Sequence, residues 1–181
     1  MTTSDPHHPY PYASKQAQAV AWLMSATVRP IASTLVRSPE GLIALRSGFR
    51  ALSVVLERTP KAVHVTKVHK TDVRGEWVVS PKARNASRVV LYLHGGGYFF
   101  GSGSLHRQVT WRLSQALSRP VLAIDYRLAP RHSFEDWRDD AVASYKYLLS
   151  QGYRGSDITV AGDSAGGHLT LVLLQTLRDR G

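Results

Sequence analysis

The 181-residue sequence contains no cysteine. That excludes disulfide frameworks, thiolate metal sites and a cysteine nucleophile, and leaves the redox compartment open. Acidic residues are scarce: 13 Asp and Glu stand against 23 Lys and Arg, a formal net charge of +10. An excess of this size can serve nucleic acid or an anionic membrane. Here it is spread, about +3 over residues 1–60 and +7 over residues 61–181, with no block of five like charges. A solvated basic surface is expected, and no nucleic-acid partner. Long apolar runs are missing too. The stretch 17–28 is broken by Gln18 and Ser25 and is too short to span a bilayer, and no basic segment or clear cleavage site frames it as a leader. The expected location is therefore cytoplasmic, with no membrane span. Repeats and low-complexity segments are absent as well.

What is present suits a globular chain: 43% apolar and 20% charged residues. A Pro- and His-rich tail covers residues 1–13. Residues 14–36 and 40–57 read as helices, the second placing Leu42, Leu45, Phe49, Leu52 and Leu56 on one face. After Pro60 the pattern changes. Residues 62–70 alternate apolar and polar, and 75–79 form a short run, which together predict an antiparallel strand pair. The run 88–93 (RVVLYL) is continuously apolar, as a strand buried on both faces requires. A helix over 105–118, a strand over 121–125, a loop over 126–133, a helix over 135–150, a strand over 158–161 and a helix over 165–178 follow. Repeated strand–helix units predict parallel pairing and an α/β sheet that binds ligands beyond the carboxyl ends of its strands.

Two motifs stand at such ends. Gly162-Asp163-Ser164-Ala165-Gly166 follows the 158–161 strand and has the form of a nucleophile elbow, a tight strand-to-helix turn that lifts a serine hydroxyl above the sheet. His94-Gly95-Gly96-Gly97 follows the 88–93 strand and has the form of a loop whose backbone N–H groups receive an oxyanion. Ser164 is thus the candidate nucleophile. Candidate donors are the N–H groups of Ala165, of Gly96, and of either Gly95 or Gly97, with His94 shaping the loop.

Three segments, LYLHGGGYFFGS (91–102), DYRLAPRHSF (125–134) and VAGDSAGGHL (160–169), resemble the hormone-sensitive-lipase-like family of α/β-hydrolases, the bacterial esterases of family IV. The resemblance covers roughly residues 60–181. It implies a partial α/β-hydrolase fold, strands one to five of the usual eight, over residues 61–181, with an N-terminal helical cap over 1–60. Departures from the family pattern are Arg131 and Ser133 where Glu and Pro are usual, and His168 where Asn is common. It also places His94 in the oxyanion motif and implies hydrolysis of small or medium, fairly hydrophobic acyl esters through an acyl-enzyme, with no cofactor; no His-x-x-x-His or Glu-x-x-His pattern supports a metal.

In this arrangement the acid and base of the triad follow the serine, and 17 residues follow Ser164. The expectation is a C-terminally truncated serine carboxylic-ester hydrolase, weak or inactive alone. A non-catalytic small-ligand module, or a gene fragment needing a second chain, remains open. Asp163 is expected as a structural carboxylate, since neighbours on a tight turn point in different directions. Arg127 and Asp140 either pair to anchor the 126–130 loop or stand as exposed charges. His168, His106 and His132 are expected to pack or face solvent instead of serving as a base; His64 and His69 lie on early strands and His7 and His8 in the tail. The strand over 158–161 leaves an edge that nothing later in the chain covers, which predicts self-association.

Overall fold

A computed structural model describes residues 59–180 except Asn85, together with isolated positions between residues 22 and 48. The chain divides into two compact units, Met1–Leu45 and Arg46–Gly181. Trp22 and Ala26 of the first expected helix and Glu40, Gly41, Ile43, Ala44, Ser47 and Gly48 of the second are helical; the tail and most of both expected helices lie outside the described residues.

Five strands form one sheet in the order β1-β2-β4-β3-β5: β1 (His64–His69), β2 (Arg74–Val79), β3 (Val89–Leu93), β4 (Val121–Ile124) and β5 (Ile158–Gly162). β1 and β2 pair antiparallel, as the alternating pattern predicts, and β2 continues antiparallel onto β4. β3 is parallel to both β4 and β5. Among the described residues after Pro60, three α-helices flank the sheet: α1 (Arg107–Leu117), α2 (Phe134–Ser150) and α3 (Ala165–Arg180).

The continuous apolar runs are the central strands, because side chains alternate across a strand and both faces are covered here. Every residue of β3 and β4 is buried. Leu91, Leu93, Leu122 and Ile124 pack with Ala141, Val142 and Leu148 of α2 and Leu169 and Leu173 of α3. Val90, Tyr92, Val121 and Ala123 face the other way, onto Trp111 and Leu113 of α1. β5 is only half-buried, its one strand partner among the described residues being β3.

This order places a reversal at β3. The chain leaves β3 through α1 to reach β4 on one side, then returns through α2 to β5 on the other. Connections that depart in opposite directions open a crevice at the strand's carboxyl end, where open α/β sheets bind ligands. α2 is well started for this role: the N–H of Ser133 donates to Asp136 Oδ2 (3.0 Å), and Glu135 and Asp136 put negative charge in the first turn.

Candidate active site

β5 ends at Gly162 and α3 begins at Ala165, so two residues make the whole turn. Ser164 holds it with φ 51, a left-handed conformation that costs a non-glycine residue about 1–2 kcal/mol. The turn fits only because its flanks lack side chains. A Cβ on Gly162 would lie 2.7 Å from the carbonyl oxygen of Leu93, and one on Gly166 would meet the carbonyl oxygens of Leu93 and His94. The elbow is therefore pressed onto the end of β3, where the glycine loop starts, and Ser164 is exposed.

The loop opens with His94, whose side chain is fully buried. Its ring stacks on Tyr126 (centroids 4.2 Å apart, planes 12° apart) and on His106 (5.4 Å, 25°). His94 Nδ1 donates to the carbonyl of Gly95 (2.7 Å), and Tyr126 OH donates to the carbonyl of His94 (2.6 Å). Burial raises the Tyr126 phenol above its ordinary range, so it stays protonated as a donor.

Asp163 joins the two motifs. Its Oδ1 accepts from the N–H of Gly95 (2.9 Å) and from Tyr92 OH (2.7 Å). Its Oδ2 lies 3.8 Å from His106 Nε2. Burial, then the Asp163 hydrogen bond and charge, push the Tyr92 phenol up, keeping it a donor. The carboxylate next to Ser164 is thus engaged in fixing the glycine loop. Beyond Gly95, the chain turns through positive φ at Gly96 (120), Gly97 (60) and Tyr98 (66), and the carbonyl of Gly96 accepts from the N–H groups of Phe99 and Phe100 (3.1 Å each). The N–H of Gly95 is spent on Asp163. Among the described residues, those of Gly96, Gly97 and Ala165 have no acceptor.

The histidines near the elbow are turned to other partners. His168 Nδ1 lies 2.6 Å from Tyr98 OH, and His106 Nδ1 donates to the carbonyl of Ser102 (3.1 Å). His132 sits 3.4 Å from Asp136, and His64 and His69 are on β1. His7 and His8 lie outside the described residues. Arg127 does pair with Asp140 (2.8 Å) and also reaches Asp136, while the N–H of Arg127 donates to Asp140 (2.8 Å), which ties the loop after β4 to α2. No metal-holding cluster occurs among the described residues, and no helix there is long and apolar enough to cross a membrane. A cavity of about 1030 Å³, lined in part by His69, Arg74, Asp125, Arg127 and His132, opens beside that loop without including Ser164.

Two features carried no sequence signal. Glu76 on β2 is fully buried and held by Arg107 at the start of α1 (2.8 and 2.7 Å) and by Lys67 (2.8 Å). Burial alone would raise this carboxyl, but the hydrogen bonds and charges of Arg107 and Lys67 outweigh it and hold the pKa below the usual range. Tyr98 is the other: it stacks flat on Trp137 (4.0 Å, 6°) while bonding His168. Both join residues 9 to 70 positions apart, which no local pattern encodes.

Comparison with known proteins agrees with this geometry. The profile of the alpha/beta hydrolase fold matches residues 90–181. An acetyl-hydrolase of Streptomyces hygroscopicus is 46% identical over 106 residues, covering 59% of this chain and 35% of the relative. The carboxylesterase/phospholipase LipF of Mycobacterium tuberculosis is 36% identical over 155 residues, covering 84% of this chain and 41% of its own. A crystal structure of an esterase from the bacterial hormone-sensitive lipase family superposes with a TM-score of 0.72 at 34% identity, covering 84% of this chain and 51% of that one. The chain thus spans between about a third and a half of these relatives' lengths. On these matches and on the sheet, elbow and glycine loop, the chain belongs to the alpha/beta hydrolase fold family, on its hormone-sensitive-lipase-like branch.

Proposed function

We propose that these residues carry the nucleophile and oxyanion-binding half of a serine carboxylic-ester hydrolase. The supporting observation is the left-handed Ser164 at a two-residue strand-to-helix turn, clamped through Asp163 to the loop that presents free N–H groups. Ser164 Oγ attacks the carbonyl carbon of an acyl ester as its proton passes to a general base, which returns it to the departing alcohol. The N–H groups of Ala165, Gly96 and Gly97 receive the oxyanion, and the alcohol leaves as an acyl-enzyme forms. Gly95 and His94 shape the loop instead of donating: the Gly95 N–H is bound to Asp163, and His94 is stacked between Tyr126 and His106. Acyl groups are small or medium and hydrophobic, no cofactor takes part, and the setting is cytoplasmic.

Serine is a poor nucleophile without a base in hydrogen-bond reach. Among the described residues no histidine is hydrogen-bonded to Ser164 Oγ, and the Nδ1 atoms of His168, His106 and His94 are held by Tyr98, Ser102 and Gly95; the base is accordingly assigned outside the described residues. Alone, the chain is a weak catalyst, roughly a thousandfold or more below a complete triad. Deacylation needs the same base, so acyl-enzyme should accumulate. Prolonged incubation with p-nitrophenyl butyrate is expected to leave butyryl on the peptide bearing Ser164, and none in Ser164→Ala; an unmodified Ser164 would overturn the assignment. The second edge of β5, which pairs with no strand among the described residues and carries no charged residue, supports self-association, as do the exposed Leu171 and Leu174 of α3. Sedimentation that stays monomeric as concentration rises would remove that reading.

A further inference from the structure

Three non-glycine residues among those described have positive φ: Tyr98, Ser118 and Ser164. Ser118 is the residue that closes the carboxyl end of α1, where a left-handed residue is ordinary. The other two sit on opposite motifs of the candidate active site. Left-handed conformations at tyrosine and serine persist only where surrounding contacts over-determine them.

Tyr98 is fixed at three points. Its carbonyl accepts from the N–H of Ala129 (2.9 Å), its ring lies on Trp137, and its hydroxyl reaches His168 Nδ1 (2.6 Å). Burial raises the Tyr98 phenol, so it keeps its proton and is available to donate to His168 Nδ1. His168 in turn is one helical turn beyond Ser164 and donates its backbone N–H to the Ser164 carbonyl (3.1 Å). Two consecutive hydrogen bonds therefore run from the residue after the third loop glycine to the nucleophile. Asp163 clamps the start of the glycine loop at Gly95, and Tyr98 clamps its end.

We propose that Tyr98 and His168 are a pair of positioning residues that set the distance between the loop N–H groups and Ser164 Oγ through the Tyr98 OH···His168 Nδ1 bond. This rests on the assignment of Ser164 as nucleophile. Neither side chain touches substrate; the bond closes a ring of contacts whose other side is Asp163 with Gly95. Preorganised donors stabilise a developing oxyanion only when they sit at hydrogen-bond distance from it, so a loop anchored at one end would bind the oxyanion less well.

Phenylboronic acid reads this directly. Its boron bonds Ser164 Oγ, the hydroxyl proton passes to solvent, and the resulting tetrahedral anion places an oxygen among the loop donors; the adduct is followed by boron NMR. Tyr98→Phe, which keeps the ring on Trp137, and His168→Leu are each expected to weaken binding about tenfold, the size of one lost hydrogen bond. The double variant should bind no worse than either single. His168→Asn, whose Oδ1 stands where Nδ1 did, should bind like wild type, whereas His168→Gln should not, even where unfolding midpoints coincide. Wild-type affinity in Tyr98→Phe, additive losses in the double variant, or equal behaviour of Asn and Gln at position 168 would overturn the proposal. A wild-type chain forming no more adduct than Ser164→Ala would instead overturn the nucleophile assignment, and this inference with it.

Discussion

Replacing Asp163 by alanine should destabilise the chain by about 3 kcal/mol. Two donors depend on its Oδ1, the N–H of Gly95 at 2.9 Å and Tyr92 OH at 2.7 Å, and both Gly95 and Tyr92 are buried. Leaving a buried donor without an acceptor costs about 1–3 kcal/mol each. The carboxylate is 49% exposed, so its charge adds little beyond the two bonds. Asp163→Asn keeps an amide oxygen able to accept both, and should cost only about 1 kcal/mol. Tyr92→Phe removes one of the orphaned donors in advance. The double variant Asp163→Ala with Tyr92→Phe should therefore be less destabilised than the sum of the singles by about 1 kcal/mol or more. Urea unfolding at neutral pH with fixed m-values gives all four free energies. An Asp163→Ala variant within about 0.5 kcal/mol of wild type, the ordinary range for a surface change, would refute the reasoning.

Glu76→Ala leaves Arg107 facing a buried hole and should cost about 3 kcal/mol in the same assay. Because folding lowers the Glu76 pKa from 4.5, its contribution is complete above that value and is lost as pH falls through the lowered one; the gap between wild type and Glu76→Gln should narrow on acidification. Gly166→Ala drives a methyl into the carbonyls of Leu93 and His94, and should lower stability by about 2 kcal/mol or prevent soluble expression. Folding raises the Tyr92 and Tyr126 phenols above their ordinary 10, so at least two of the eight tyrosines should resist ionisation in an ultraviolet titration until the chain unfolds. Raised values also mean that this stability is intact below pH 10 and is lost as pH rises beyond it.

The elements after residue 60 were legible because their signals are local. The continuous apolar run Val89–Leu93 makes a strand buried on two faces, and the loop and elbow glycines announce turns that a Cβ would block. Strand order was not legible. That β4 inserts between β2 and β3 follows from how connections cross the sheet, and no stretch of sequence records it. The same limit applies to the site. Ser164 and the glycine loop can be read from motifs, and Asp163 can be discounted as the triad acid from its adjacency to Ser164. What Asp163 does instead depends on Gly95 and Tyr92, 68 and 71 residues away. His168 reads as a packing or solvent-facing histidine until Tyr98 is found 2.6 Å from it. Glu76 is harder still, since an acidic residue in a strand is ordinarily taken to face water.

The most direct test of the proposed nucleophile and oxyanion site, with its base assigned outside the described residues, is chemical rescue. Hydrolysis of p-nitrophenyl butyrate would be followed with increasing imidazole, and the rate with Ser164→Ala subtracted as background. The account predicts near-background turnover without imidazole and a Ser164-dependent rate that rises with imidazole, because the added base takes the proton for which no acceptor is assigned among the described residues. Serine-dependent turnover already present without imidazole would contradict the missing base, and identical rates for the two proteins at every imidazole concentration would contradict the site itself.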